Sequence, residues 1–310
     1  MIKNFNNLIL IEGGASRKKI YRLKCNKFNL IVLDFSDDVN EFDKHLNVYN
    51  ILKDINISIP EIFEVYYDNH IIVTEDFGDQ RFDKTINRNN IYNLLKDAIS
   101  SLIIINNSIL NVFSKGLSKY NYNIFKSEVN EFIEFYFPYK KIDNSLREDF
   151  LQTWKIQYEN LKIDFNAFVH KDFELTNLMF LPSKDKHLKC GILDFQSAFV
   201  GFSGWDVFSL LENSRVYFTR ANNEKLIKYF YKNTNQKIDF SLFRQQYYFF
   251  NTSRQTRLLG RWIKFLKVNK NKNYLKYINV TTRRLNESLL NLNNKQLNKI
   301  YNKIFNEINA

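Results

Sequence analysis

Three polar side chains stand at fixed spacing in the otherwise mostly apolar stretch FVHKDFELTNLMF (168–180): His170, Asp172 and Asn177. Seventeen residues after Asn177 a second acid, Asp194, closes the run KCGILD, and Asp206 follows in the apolar run WDVFSLL. Buried polar groups are costly unless something satisfies them, so the pattern H-x-D-x-x-x-x-N followed by an acid asks for a purpose. An amide and a carboxylate supply hard oxygen ligands to Mg2+, which fills the rest of its shell with water and phosphate oxygens. The first acid can then orient an acceptor hydroxyl and take its proton as a phosphoryl group arrives. On this reading Asp172 is the base, and Asn177 and Asp194 are the metal ligands. Asp206 braces the loop by accepting backbone N–H bonds, and His170 orders it through hydrogen bonds rather than by carrying a proton. The bland reading, in which these groups only cap turns, is opposed by their order and by the strand-rich segment that precedes them.

The elements that would position these groups have two textures. LILIEGG, IYRLKC, NLIVLDF, IFEVYY and HIIVTEDF are short runs rich in Ile, Leu, Val and Tyr, bounded by Gly, Asn or Asp, and read as strands. After the third, Phe42, Leu46, Tyr49 and Leu52 recur at helical spacing over 39–53, and Pro60 ends that unit. Three strands, a helix and two strands predict a small sheet lobe with one main helix. GGASRKK, between the first two strands, is a glycine turn with a basic flank. From residue 78 apolar spacings of three and four run through 90–113, 124–137 and 146–161, and again from 205 to the end. Leu297, Ile300, Tyr301, Ile304, Phe305 and Ile308 share one face of a final amphipathic helix. The expected class is α+β, with a sheet lobe over 1–77 and a larger, mostly helical lobe over 78–310.

An apolar content of 45% and an aromatic content of 16% exclude a disordered chain and point to generously packed cores. The net charge of +12 is spread along the chain without a basic tail or dense run, so a solvated surface is favoured over nucleic-acid binding. Cys25 and Cys190 have no partners at metal-ligand spacing and read as thiols in a reducing compartment. The apolar run at the N-terminus is too short for a signal segment, and SSLIIINNSIL is too short to span a bilayer. A cytoplasmic chain is expected, with no nucleic-acid or membrane partner. His45, His70 and His187 read as surface or capping residues.

GGASRKKIYRL, NISIPEIFEV, IIVTEDFGDQRF and the two chemistry-bearing stretches resemble the aminoglycoside phosphotransferase/choline kinase superfamily over nearly the whole chain. Within it, SRQTRLLGRWIKF followed by NYLKYI is most similar to the bacterial anomeric kinases for N-acetylmuramate and N-acetylglucosamine. The resemblance implies a bilobal protein-kinase-like fold, with a small antiparallel-sheet N-lobe, that works with ATP and Mg2+ as a monomer. It matches Asp172 to the catalytic base and Asn177 and Asp194 to the metal ligands. It matches Gly13, Gly14 and Ser16 to the loop over the nucleotide phosphates, and sets the backbone around Glu75–Phe77 against adenine. Glu174, Gln196 and Arg254 would face the acceptor, an amino sugar phosphorylated at its anomeric hydroxyl in cell-wall sugar recycling. The alternatives are the same chemistry on choline, ethanolamine, an aminoglycoside or another sugar, and a non-catalytic nucleotide-binding module.

The departures from that pattern are informative. Kinases carry a lysine on the third strand for the α- and β-phosphates, whereas NLIVLDF contains no basic residue. Arg17, Lys18 or Arg22 would replace it; Arg22 alternates with Tyr21 in the sense that faces the cleft. Lys171, the pair Phe173–Glu174, Ser197 and Ser253 stand where the family usually has Arg, an aromatic–His pair, an acid and Gln, which bears on the acceptor rather than on the chemistry. Arg254, Arg257, Arg261 and Lys264 form one helical stripe. Its two readings are a solvated basic face and an Arg254 that reaches an acceptor carboxylate or sugar oxygens.

Overall fold

The computed structural model describes residues 8–11, 17–25, 28–109, 112–161, 163, 165–216 and 218–309. The chain divides into two compact units, Met1–Ser118 with Phe168–Phe199, and Lys119–Ala167 with Val200–Ala310.

In the first unit β1 (Leu8–Ile11), β2 (Lys19–Lys24), β3 (Asn29–Asp34), β4 (Ile62–Tyr66) and β5 (Ile71–Glu75) form one antiparallel sheet in the order β1-β2-β3-β5-β4. Its residues alternate between two cores. Leu23, Leu30, Val32 and Val73 pack together, and Leu33, Phe35 and Ile72 gather with Phe42 of α1 (Val39–Leu52) in the other. Asp38 caps α1 by accepting from the Glu41 amide, and its carboxylate suits the positive end of the helix. The buried stripe of α1 is Phe42, His45, Val48 and Leu52 rather than Phe42, Leu46, Tyr49 and Leu52. Both spacings satisfy a helical period, and packing selects the one that buries a histidine.

The rest of this unit holds α2 (Phe82–Thr85), α3 (Ile91–Ser108), the greater part of β6 (Ala167–Val169), and the hairpin of β7 (Leu178–Phe180) with β8 (Cys190–Ile192). The hairpin is tied to its surroundings through backbone groups. The Ile192 amide donates to the Ser58 carbonyl at 2.8 Å and the Phe180 amide to the Gln80 carbonyl at 2.7 Å.

The second unit is mostly helical: α4 (Tyr122–Glu131), α5 (Phe137–Lys140), α6 (Leu146–Asn160), α7 (Trp205–Leu211), α8 (Arg220–Asn233), α9 (Phe240–Lys267), α10 (Ile278–Leu292) and α11 (Lys295–Asn309). Most of β9 (Phe199–Gly201) precedes α7. The helix expected over 124–137 is interrupted by a π turn at Phe132–Tyr136. Pro138, at the start of α5, has no amide to continue an α ladder, which is one reason the winding changes there. The other is α9. A Cβ placed on Gly260 would stand 2.3 Å from the Glu131 carbonyl oxygen, so only glycine lets the helix come this close to the turn.

The basic stripe of α9 is met by acids of α4. Arg257 pairs with Glu128 at 2.6 Å, Arg261 with Glu131 at 2.7 Å, and Lys264 with Glu131 at 3.4 Å. Deeper in the unit, the fully buried Glu212 receives Arg220 at 2.5 Å and the buried Arg284 at 3.3 Å, and both arginines also reach Glu287. Burial alone would lower the Arg220 guanidinium, and the Glu212 carboxylate beside it reverses this and raises it. The architecture is therefore the expected α+β one, an antiparallel sheet with one main helix followed by a mostly helical region. Among the described residues no helix is long and apolar enough to cross a membrane.

Candidate active site

The loop from His170 to Asn177 is laced to Leu193, the residue before Asp194. His170 is fully buried, and its Nε2 lies 3.0 Å from the Leu193 carbonyl. Burial pushes its imidazole down to about 4, with the Asp194 carboxylate opposing the shift. A neutral ring donating Nε2–H to that carbonyl fits the reading of His170 as an ordering group. From the other side, the Leu193 amide donates to the Asn177 carbonyl at 2.9 Å. The His170 ring and the Asn177 carbonyl thus both meet Leu193, the neighbour of Asp194.

Within the loop the Glu174 amide donates to the Asp172 carbonyl and the Asn177 amide to the Glu174 carbonyl, winding a short 3-10 turn at Leu175–Asn177. Asn177 Nδ2 also donates to the Asp172 carbonyl at 2.9 Å. That bond fixes which end of the amide is which and directs Oδ1 away from the carbonyl. Glu174 accepts from the Thr176 hydroxyl at 3.0 Å. Lys171 and Asp194 both hold a positive φ, +80° and +62°. Such backbones are uncommon outside glycine and concentrate where a side chain must be aimed.

Asp194 is the electrostatic centre of the unit. Lys18 Nζ stands 2.5 Å from its Oδ1, and Gln196 Nε2 donates to the same oxygen at 3.0 Å. Burial would raise this carboxyl; Lys18 and Gln196 outweigh burial and hold it below the usual aspartate range. About a third of the side chain, 36%, remains open, against 5% for Lys18. The carboxylate is thus held ionised yet reachable. Among the described residues no group of three His, Cys, Asp or Glu side chains could hold a metal by itself. Mg2+ asks for less, one or two protein oxygens with phosphate and water completing the shell. Asp194 and the outward Oδ1 of Asn177 are donors of the right hardness.

The other expected positions are placed as follows. Gly13, Gly14 and Ser16 lie outside the described residues. Arg17 is exposed near Asp37, whose carboxyl is lowered first by Lys19 and in part by Arg17. Arg22 is held by Asp76 at 2.6 Å and Asp79 at 2.9 Å, and donates to the Gly78 carbonyl at 3.2 Å. It therefore clasps the segment that follows Glu75, the end of β5, and contains Phe77. Phe77 packs against β8, where a Cβ on Gly191 would meet its ring at 2.7 Å. Gln196 is buried beside Asp194. Asp206, in the first turn of α7, and Arg254, on α9, are buried in the second unit.

Two residues carry more than the sequence assigned to them. Lys18, one of three basic residues left open, is the one that meets Asp194. His45, expected at the surface or as a cap, is buried between the rings of Phe35 and Phe195, at 5.5 and 4.7 Å. Burial pushes it down to about 3, aided by Lys18. Its place three residues after Phe42 and three before Val48 was the available signal.

The sequence model of the ecdysteroid kinase-like family matches residues 87–239. Two curated proteins named N-acetylmuramate/N-acetylglucosamine kinase are similar to the chain. The one from Pseudomonas putida is 22% identical over 70% of this chain and 63% of its own length. The one from Caulobacter vibrioides is 38% identical over 17% of this chain and 14% of its own. The matched regions therefore span less than two thirds of either relative. Among solved structures, ADP-bound aminoglycoside phosphotransferase APH(2'')-Ib has a TM-score of 0.59 at 17% identity, covering 93% of this chain and 94% of its own. Choline kinase LicA from Streptococcus pneumoniae has a TM-score of 0.59 at 14% identity, covering 92% and 94%. The chain has the fold of these kinase-like phosphotransferases.

Proposed function

From the premise of a kinase-like phosphotransferase fold, we propose that the chain is an ATP-dependent small-molecule kinase. Its acceptor is a sugar hydroxyl, the anomeric hydroxyl of N-acetylmuramate or N-acetylglucosamine. The observation that carries the reading is the loop 170–177 bonded to Leu193 through the His170 ring and the Asn177 carbonyl, which sets the loop beside an ionised, partly open Asp194. Two similar proteins named for these sugars support the acceptor class.

Asp172 takes the proton of the acceptor hydroxyl. An anomeric hydroxyl is more acidic than an ordinary alcohol, so the carboxylate needs no large shift for this task. Mg2+ held by Asp194 and Asn177 would offset the charge of the nucleotide phosphates. Gly13, Gly14 and Ser16 are assigned to the nucleotide phosphates and the backbone of Glu75–Phe77 to adenine, and Arg22 steadies the segment after Glu75. Asp206 braces the catalytic loop, and Arg254 with Glu174 and Gln196 shapes the acceptor side. In lobe terms, 1–77 contributes the nucleotide contacts and 78–310 the catalytic loop and acceptor pocket.

Coupled ADP release over a panel of amino sugars, choline, ethanolamine and aminoglycosides tests the reading. Turnover is expected on an amino sugar, and Asp172→Asn should lower kcat by about 10²–10⁴ without loss of nucleotide binding. Turnover confined to choline or to an aminoglycoside would move the acceptor class, and full turnover by Asp172→Asn would remove it as the base. Arg254→Lys should raise the KM for the acceptor more than that for ATP, because a point charge does not replace a planar two-pronged donor.

A further inference from the structure

We propose that Lys18, which stands immediately before β2 and pairs with Asp194, is the cation that grips the α- and β-phosphates of the nucleotide. The inference rests on the kinase reading above and names a residue of that site.

Strand β3 carries no basic residue. The register pairs Lys19 with Asp34, so Lys18 stands one step before the pairing, level with Phe35 just past the end of β3. Its ammonium lies 5.6 Å from the Phe35 ring centroid and 2.5 Å from Asp194 Oδ1. A side chain just ahead of β2 therefore brings its charge beside the end of β3, next to Asp194. The competing cations are committed elsewhere: Arg22 to Asp76 and Asp79, Arg17 to the exposed surface near Asp37.

A buried ammonium is costly without an anion, which is why Lys18 lies on Asp194 here. In protein kinases a glutamate on the main helix of the sheet lobe holds the lysine. At the corresponding face of α1 this chain presents the imidazole of His45, with Gln196 alongside. Beside the pair His45 and Gln196 are both buried, and Gln196 also donates to Asp194. A divalent cation held by Asp194 and Asn177 would place like charge beside Lys18, and nucleotide phosphates would then supply the ammonium with another anion.

Equilibrium binding of ATP, ADP and AMP, each with Mg2+, to the wild-type chain and to Lys18→Met and Lys18→Arg reads this directly. Lys18→Met should weaken ATP and ADP by about 10–100-fold, the worth of one charge-assisted contact. AMP, which retains only the α-phosphate, should lose less than ADP, and Lys18→Arg should recover part of the loss. Melting of each variant without ligand separates a folding defect from a binding one. ATP binding unchanged in Lys18→Met, or a phosphate-dependent loss in Arg22→Met instead, would overturn the assignment while leaving the kinase reading standing. A wild-type chain that binds no nucleotide would remove both.

Discussion

The two units each hold a buried charge system, and the two are built to opposite ends. In the second unit Glu212 is closed off, met by Arg220 and Arg284, with Glu287 completing the set and the Gln255 amide donating to the Glu212 carbonyl. In the first unit, among the described residues, Asp194 has a single close cation, one amide donor, a left-handed backbone and a third of its side chain open. Ions enclosed by partners that cannot be exchanged fix a packing arrangement. An ion with one partner and an open side can change partners. The difference separates scaffold from site without appeal to any relative.

That contrast can be broken by measurement. The largest effect is expected at Glu212→Gln, which leaves two arginines facing a neutral group; urea unfolding should show a loss of about 3–5 kcal/mol. Gly260→Ala should follow at about 1–3 kcal/mol or more, since its methyl meets the Glu131 backbone rather than a yielding side chain. Next comes acid sensitivity. Buried His45 and His170 refuse protons until about pH 3 and 4, whereas the unfolded imidazoles accept them near 6.5. The unfolded state binds more protons in that window, so stability falls as pH drops from 6.5 to 5, by up to roughly 1.4 kcal/mol per pH unit for each ring. His45→Gln should remove about half of the slope. Lys18→Met is expected to cost the least, within about 1 kcal/mol, because water can take over part of the open Asp194. A loss there as large as that of Glu212→Gln would erase the distinction between the two systems.

The path of the candidate loop was the most legible part of the sequence, because a loop motif keeps its partners close along the chain. His170, Asp172 and Asn177 lie within eight residues, and one hairpin returns the chain to Asp194. The order of strands and helix in the sheet lobe was equally readable from periodicity. What escaped depends on partners far away. The α9 stripe looks solvated until Glu128 and Glu131, more than a hundred residues earlier, are set against it. The π turn follows from a crossing that Gly260 permits, and no local pattern announces it. Lys18 could not be told from Arg17 and Arg22 by type or spacing; the register of β2 on β3 and the claims of Asp76 and Asp79 on Arg22 make the choice.

The contact between Phe77 and Gly191 has a mechanical consequence. Gly191 is three residues from Asp194, a span of roughly 10 Å in extended chain, and the aromatic ring occupies the volume a larger residue would need. The segment after β5 and the carboxylate at the end of β8 are therefore yoked like the two arms of a caliper. A change that widens one jaw must displace the other, so selection at position 191 acts on both at once.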